Sequence, residues 1–182
     1  MILTKDDIFD AIANKDIVVT PLNMSSVGTN SIDVHLGGNL AVYTSELDAS
    51  KPNDITRFEI PDEGFVLQPG VLYLAVTQEY TETLKHVPCL TGKSSIGRLG
   101  INIHATAGFG DVGFCGYWTL ELFVVQPVRI FKGMPIGQIW YTEPKSLPAT
   151  KYMERDSSSY IDAHNPLPQP SRLYKKFTEV RS

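Results

Sequence analysis

An all-β domain with two short helices and an extended C-terminal arm is what this sequence predicts. Short apolar stretches rich in β-branched and aromatic residues recur along the chain, turn residues separate them, and a helical period appears in only two places. The first helix covers residues 4–14. Thr4 can cap it, and Asp7 follows at capping-box spacing. Ile8, Ala11 and Ile12 then share one face, and Asn14 and Lys15 suit its end. Strand candidates follow at 17–19, 32–36, 40–43, 57–60, 71–76, 101–105, 117–125, 128–131 and 136–141. The turn signals between them are Gly37-Gly38, Lys51-Pro52-Asn53-Asp54, Pro61-Asp62-Glu63-Gly64, Pro69-Gly70 and Lys132-Gly133. Strands this short and this evenly spaced imply an antiparallel sandwich or jelly roll. Ser94-Ser95-Ile96-Gly97-Arg98-Leu99-Gly100 interrupts the pattern: hydroxyl residues suited to a helix start precede Ile96 and Leu99, three apart, so a helix of one or two turns is expected. From about Lys145 the chain is polar and rich in Ser and Pro, with Tyr152, Tyr160, Tyr174 and Phe177 as anchors. The expected organisation is a β domain over 1–150 and an arm over 151–182, with no internal repeat.

Composition narrows the function classes. A chain of 182 residues fits one domain, and a net charge of −4 argues against a general nucleic-acid binder. It does not argue against a small anionic ligand, which a local basic cluster can hold. The two cysteines, Cys89 and Cys115, lack C-x-x-C spacing, which fits a reducing compartment and gives no disulfide framework. The N-terminus has no basic and apolar leader pattern, and no segment approaches the length of a membrane span. The expected location is the cytoplasm, with neither membrane nor nucleic acid as partner.

Three segments can carry chemistry. Residues 85–98 hold Lys85, Lys93 and Arg98 and no acid; Gly92-Lys93-Ser94-Ser95 reads either as a phosphate-binding helix start or as a capped turn with a solvated lysine. In 104–114, Asp111 sits among Gly108, Gly110 and Gly113. It reads either as a ligand contact reached by close backbone approach or as a turn residue. His104 reads more simply as a packed histidine. In Trp118-Thr119-Leu120-Glu121-Leu122-Phe123, alternation puts Glu121 on one face with Thr119 and Phe123, opposite Leu120 and Leu122. That acid is either an outward strand carboxylate or a group poised for proton transfer. No zinc site is expected, because Pro88-Cys89 has no partner cysteine at the deaminase spacing.

Residues 92–100, 104–114 and 119–122, in this order and spacing, strongly resemble the dCTP deaminase family of the dUTPase-like superfamily. Met1-Ile2-Leu3, Asn30 to Gly37, Gly133, Ile136-Gly137-Gln138, Tyr152, Tyr160 and Pro170-Ser171-Arg172 extend the match over almost the whole chain. The resemblance implies a distorted jelly roll, homotrimers with active sites between subunits, an arm that folds over bound nucleotide, and Mg²⁺ held through the nucleotide phosphates, with no zinc. It implies hydrolytic deamination of dCTP with Glu121 as the proton-shuttling carboxylate. Ser94 and the Ala107 carbonyl would hold the attacking water, and Arg98 would orient Glu121. Lys93, Ser95, Thr106, Phe109, Asp111, Gln138, Tyr152, Tyr160 and Ser171 would contact the nucleotide, with Asp111 at the deoxyribose.

The chain also departs from the family. Phe109 stands where deaminase-only members carry arginine and bifunctional members an aromatic residue, which favours the route from dCTP to dUMP, ammonia and pyrophosphate. Gly110 replaces an isoleucine, Val112 a proline and Ser159 a lysine, and the glutamine expected after Tyr160 is missing, which bears on phosphate preference. The competing expectations are a dUTPase without deaminase activity, which has no need of Glu121, and a non-catalytic nucleotide-binding regulator on the same fold.

Overall fold

Polar and apolar residues alternate along most of the chain, and the computed structural model turns that alternation into one large antiparallel sheet. It describes residues 1–106, 108–161 and 164–176. Helix α1 (Lys5–Ala13) opens the chain. Both the backbone N–H and the hydroxyl of Thr4 donate to Asp7 Oδ2, at 2.8 and 2.6 Å. Ile8 and Ala11 are the residues it buries.

Ten strands follow: β1 (Ile17–Thr20), β2 (Ile32–Tyr43), β3 (Ile55–Glu59), β4 (Phe65–Leu67), β5 (Tyr73–Thr83), β6 (Val87–Gly92), β7 (Ile101–Asn102), β8 (Cys115–Val124), β9 (Val128–Ile130) and β10 (Pro135–Thr142). The main sheet runs β6-β10-β2-β5-β8-β7, with β1 added to β5 and β3 to β2; β4 and β9 form a separate pair. This is the all-β, distorted jelly-roll architecture expected. The short helix α2 (Ser94–Gly97) lies between β6 and β7, with Lys93 rather than a serine at its N-cap.

Three expectations need correcting. Gly37-Gly38 is not a turn between two strands but an irregularity inside the single long β2, where the register to β5 shifts between Leu36 and Leu40. A Cβ on Gly37 would lie 2.8 Å from the Val76 carbonyl oxygen, so the glycine permits close strand approach and not chain reversal. The apolar stretch 101–105 forms a strand only over Ile101–Asn102, because Ala105 turns its N–H onto the Glu121 side chain instead of a neighbouring strand. Strands β4 and β6 carry no clear alternation and are additions.

The core joins Ile8, Ile17, Leu36, Leu40, Leu67, Leu120, Leu122, Ile130 and Ile136, each fully buried. Strand β8 matters most for the site. Gly116, Trp118, Leu120, Leu122 and Val124 are buried, while Tyr117, Thr119 and Glu121 are only half-buried on the opposite face. Trp118 is fixed from within: its indole N–H donates to Thr81 Oγ1 at 2.9 Å and its backbone N–H to Thr77 Oγ1 at 3.0 Å. Among the described residues no helix is long and apolar enough to cross a membrane.

Candidate active site

The half-buried face of β8 is the floor of a cavity of about 550 Å³, a size typical of small-ligand sites. Thr119 and Glu121 come from β8, Leu74 from β5 and Tyr43 from the end of β2. Thr106, Phe109 and Asp111 come from the loop before β8, and Tyr152, Tyr160, Gln169 and Ser171 from the C-terminal segment. Seven residues singled out from sequence therefore meet here: Thr106, Phe109, Asp111, Glu121, Tyr152, Tyr160 and Ser171.

Glu121 is held by its surroundings. Its backbone N–H donates to the Ile103 carbonyl at 2.9 Å, and its Oε2 accepts the Ala105 N–H at 2.7 Å. Among the described residues none hydrogen-bonds to Oε1. One oxygen is thus fixed by a backbone donor, and the other is available to a water or an exocyclic amine. An outward strand carboxylate in bulk solvent would lack this enclosure, so the geometry favours the proton-transfer alternative for Glu121.

Asp111 is a turn residue that also lines the cavity. Its carbonyl accepts the Phe114 N–H at 3.1 Å in a turn that Gly113 closes with φ 89°. The surrounding glycines are explained by packing. A Cβ on Gly108 would lie 2.5 Å from the Leu90 carbonyl oxygen, and one on Gly110 would lie 2.6 Å from Trp118 Cη2 and 2.9 Å from Pro88 Cγ. Trp118 fills the room that a side chain at 110 would need. His104 packs beside Gly108, as its simpler reading had it. Phe109 stands 69% exposed at the cavity.

The C-terminal segment docks over this cavity. The Tyr152 N–H donates to the Val112 carbonyl at 2.9 Å, and the Tyr152 ring meets Phe114 edge-on, 5.8 Å between centroids. The Tyr160 N–H donates to the Tyr152 hydroxyl at 3.1 Å, and the Arg172 N–H to the Tyr160 hydroxyl at 3.3 Å. Burial pushes both tyrosine hydroxyls above the usual phenol range, against the pull of those N–H donors, so both stay protonated at neutral pH. Ser159 accepts Arg172 Nη1 through its carbonyl at 2.8 Å, so its backbone is what the arm uses at that position.

The other predicted residues lie elsewhere. Ser94, Ser95 and Arg98 are exposed on and after α2. Among the described residues no ion pair within 4 Å joins Arg98 to Glu121. Lys93 and Gln138 line a second, more open cleft of about 670 Å³, with Ser31, Asp33 and Trp140. Lys93 Nζ sits 2.5 Å from Asp33 Oδ1, and the Ser31 hydroxyl donates to Gln138 Oε1 at 3.3 Å. The Ala107 carbonyl, expected to hold the attacking water, lies outside the described residues, as does the Phe177 anchor. No three His, Cys, Asp or Glu side chains come together as a metal cluster among the described residues.

Among the cavity residues not assigned from sequence are Tyr43, Tyr117, Thr119 and Gln169. Thr119 and Tyr117 share the strand alternation of Glu121, a signal that could have marked them. Tyr43 and Gln169 have no local signal, since they arrive from β2 and from the far end of the chain.

Comparison with known proteins bears on the whole arrangement. The profile of the dCTP deaminase-like family matches residues 2–143. A relative from Clostridium acetobutylicum, named "dCTP deaminase, dUMP-forming", is 50% identical over 178 residues, which span 97% of this chain and 99% of that one. A relative of the same name from Cytophaga hutchinsonii is 48% identical over the same shares. Among solved structures, 2'-deoxycytidine 5'-triphosphate deaminase from Agrobacterium tumefaciens superposes with a TM-score of 0.64 at 20% identity. The match covers 79% of this chain and 48% of that one, about half the length of the larger protein. At that identity the likeness speaks to the fold alone.

Proposed function

The chain belongs to the dCTP deaminase-like family, and from that premise we infer that it hydrolyses dCTP at cytosine C4 and carries the product on to dUMP. The observation that carries this reading is Glu121 on the cavity face of β8, with one oxygen held by the Ala105 N–H and the side chain lining a nucleotide-sized cavity. The name shared by the relatives from C. acetobutylicum and C. hutchinsonii supports the same product.

Deamination needs a proton taken from water as it attacks C4 and a proton given to the departing amine. Glu121 performs both in turn, and the amine leaves as ammonia. A second water then splits the triphosphate, releasing pyrophosphate and leaving dUMP. Asp111 meets the deoxyribose and supports this second step, beside Phe109. Thr106 and the backbone around it read the pyrimidine edge, while Tyr152, Tyr160 and Ser171 of the arm, residues 151–182, cover the nucleotide.

Water positioning falls to Ser94 and the Ala107 carbonyl, and orientation of Glu121 to Arg98. Since Ser94, Ser95 and Arg98 are exposed away from the cavity of their own chain, a neighbouring copy supplies them, with Lys93 and Gln138, in a homotrimer whose sites lie between subunits. Mg²⁺ would be held through the phosphate oxygens and water and would supply neutralisation of the triphosphate charge. A dUTPase without deaminase activity is not favoured, because that chemistry leaves Glu121 without a task. Incubation with dCTP and Mg²⁺ tests the function: ammonia and pyrophosphate should appear in step, with dUMP as product. Accumulation of dUTP alone would refute the second step, and absence of ammonia would refute the first.

A further inference from the structure

The segment Pro168-Gln169-Pro170-Ser171 lies along the cavity without joining any strand described. Its two prolines have no N–H, and they bias the backbone toward an extended form before any contact is made. Both remaining N–H groups and one carbonyl are met by side chains of the β domain. The Gln169 N–H donates to Thr119 Oγ1 at 3.1 Å, and the Ser171 N–H to the Tyr43 hydroxyl at 3.0 Å. The Pro168 carbonyl accepts two bonds from one guanidinium, Arg57 Nε at 3.3 Å and Nη2 at 3.0 Å. Pro168 is buried, and among the described residues Arg57 alone donates to its carbonyl.

Arg57 differs from the other two holders. Tyr43 and Thr119 line the cavity, whereas Arg57 does not. It stands on β3 opposite Ala41, on the same hairpin face as Tyr43, whose partner is Ile55. From there it reaches the strap from outside, at the point where the strap enters.

We infer that Arg57 is a positioning residue for the deamination reaction: its two-pronged grip on the Pro168 carbonyl sets the 168–171 strap against Thr119 and Tyr43, and so closes the cavity that holds Glu121. The inference rests on the proposed function for its catalytic meaning, but the grip is a property of the chain itself. Because the strap is held by side-chain groups and not by a strand ladder, few bonds separate its closed and open forms. A charged donor to a buried carbonyl is the strongest of them. Arg57 lies outside the cavity lining, so its removal should weaken retention of substrate more than chemistry at C4.

The test compares full-length wild type, Arg57→Ala and Arg57→Lys by two measurements. Hydrogen exchange without nucleotide reads the strap. Exchange of the Gln169 and Ser171 amides should quicken by about tenfold or more in Arg57→Ala, as expected for loss of a hydrogen bond to a charged donor. Arg57→Lys, which supplies one donor in place of a fork, should fall between. Steady-state kinetics with dCTP read the consequence: KM should rise by about tenfold while kcat stays within about threefold, the signature of lost binding and not of lost transition-state contact. Unchanged exchange in Arg57→Ala would overturn the grip. Quickened exchange with KM and kcat both within about twofold of wild type would overturn the positioning role. A wild-type chain inert toward dCTP would sink the functional reading, and the exchange comparison would still decide the grip.

Discussion

The two faces of this molecule on which nucleotide chemistry was expected differ in completeness. Around β8, one chain gathers Glu121, Asp111, aromatic side chains and the arm about a single cavity, with Glu121 already fixed by the Ala105 N–H. Around α2, Ser94, Ser95 and Arg98 are exposed, and Lys93 is turned to Asp33. Under the proposed function the first face takes the pyrimidine deoxynucleoside, and the second offers cations and hydroxyls to its phosphates. The contrast teaches that, under the proposed function, recognition of the base and grip on the phosphates are built on separate pieces of one fold, the second completing the cavity of another copy.

The largest effect expected falls on the complete face. Glu121→Gln keeps the side chain's size but cannot take a proton, so deamination should fall by about 10⁴-fold, the upper end of what one general acid–base group supplies. Thermal stabilisation by dCTP should persist, because the binding residues are untouched. A deamination rate within about threefold of wild type would return Glu121 to the status of an outward strand acid. On the other face, Arg98→Ala removes a charged donor and should lower kcat/KM for dCTP by about 10–100-fold, while leaving the thermal stability of the free protein nearly as it was. An unchanged kcat/KM would detach α2 from the reaction. Smaller again, stripping Mg²⁺ with a general chelator should slow turnover and a zinc-selective chelator should not; loss of activity together with a stoichiometric zinc ion would contradict the account.

The smallest effect lies at the start of α1. The Thr4 hydroxyl, and then the Thr4 N–H, hold the Asp7 carboxyl below the usual carboxylate range. Its contribution to stability is therefore present above the unfolded carboxylate value and is lost as pH falls through the lowered folded one. Asp7→Asn should flatten the acid limb of a stability-against-pH curve below about pH 4 and leave deamination at neutral pH unchanged. An acid limb identical to wild type would remove Asp7 as a contributor.

What could be read from the sequence follows the same division. Alternation along 117–125 placed Glu121 opposite Leu120 and Leu122 before any coordinates, because one buried face dictates that pattern. The α1 cap was legible because Thr4 and Asp7 are three residues apart. Gly37-Gly38 misled, because a pair of glycines looks the same whether it turns a chain or lets β2 and β5 approach. Strand β6 was hidden by its lack of alternation: Pro88, Cys89 and Leu90 are all buried. The arm's aromatic anchors were visible, but not the contacts that hold the strap, since Tyr43, Arg57 and Thr119 meet residues 168–171 from distant parts of the chain and leave no mark on local spacing.

The central claim is that the cavity of one copy works with the α2 segment of another, and reassembly of two damaged chains tests it most directly. Glu121→Gln spoils the cavity and spares α2; Arg98→Ala does the reverse. Mixed trimers formed by co-expression in equal amounts should recover activity, approaching about one quarter of the wild-type value if subunits combine at random about a closed symmetric ring. Activity in the mixture that never exceeds the average of the two parents would place both groups in one chain and contradict the account.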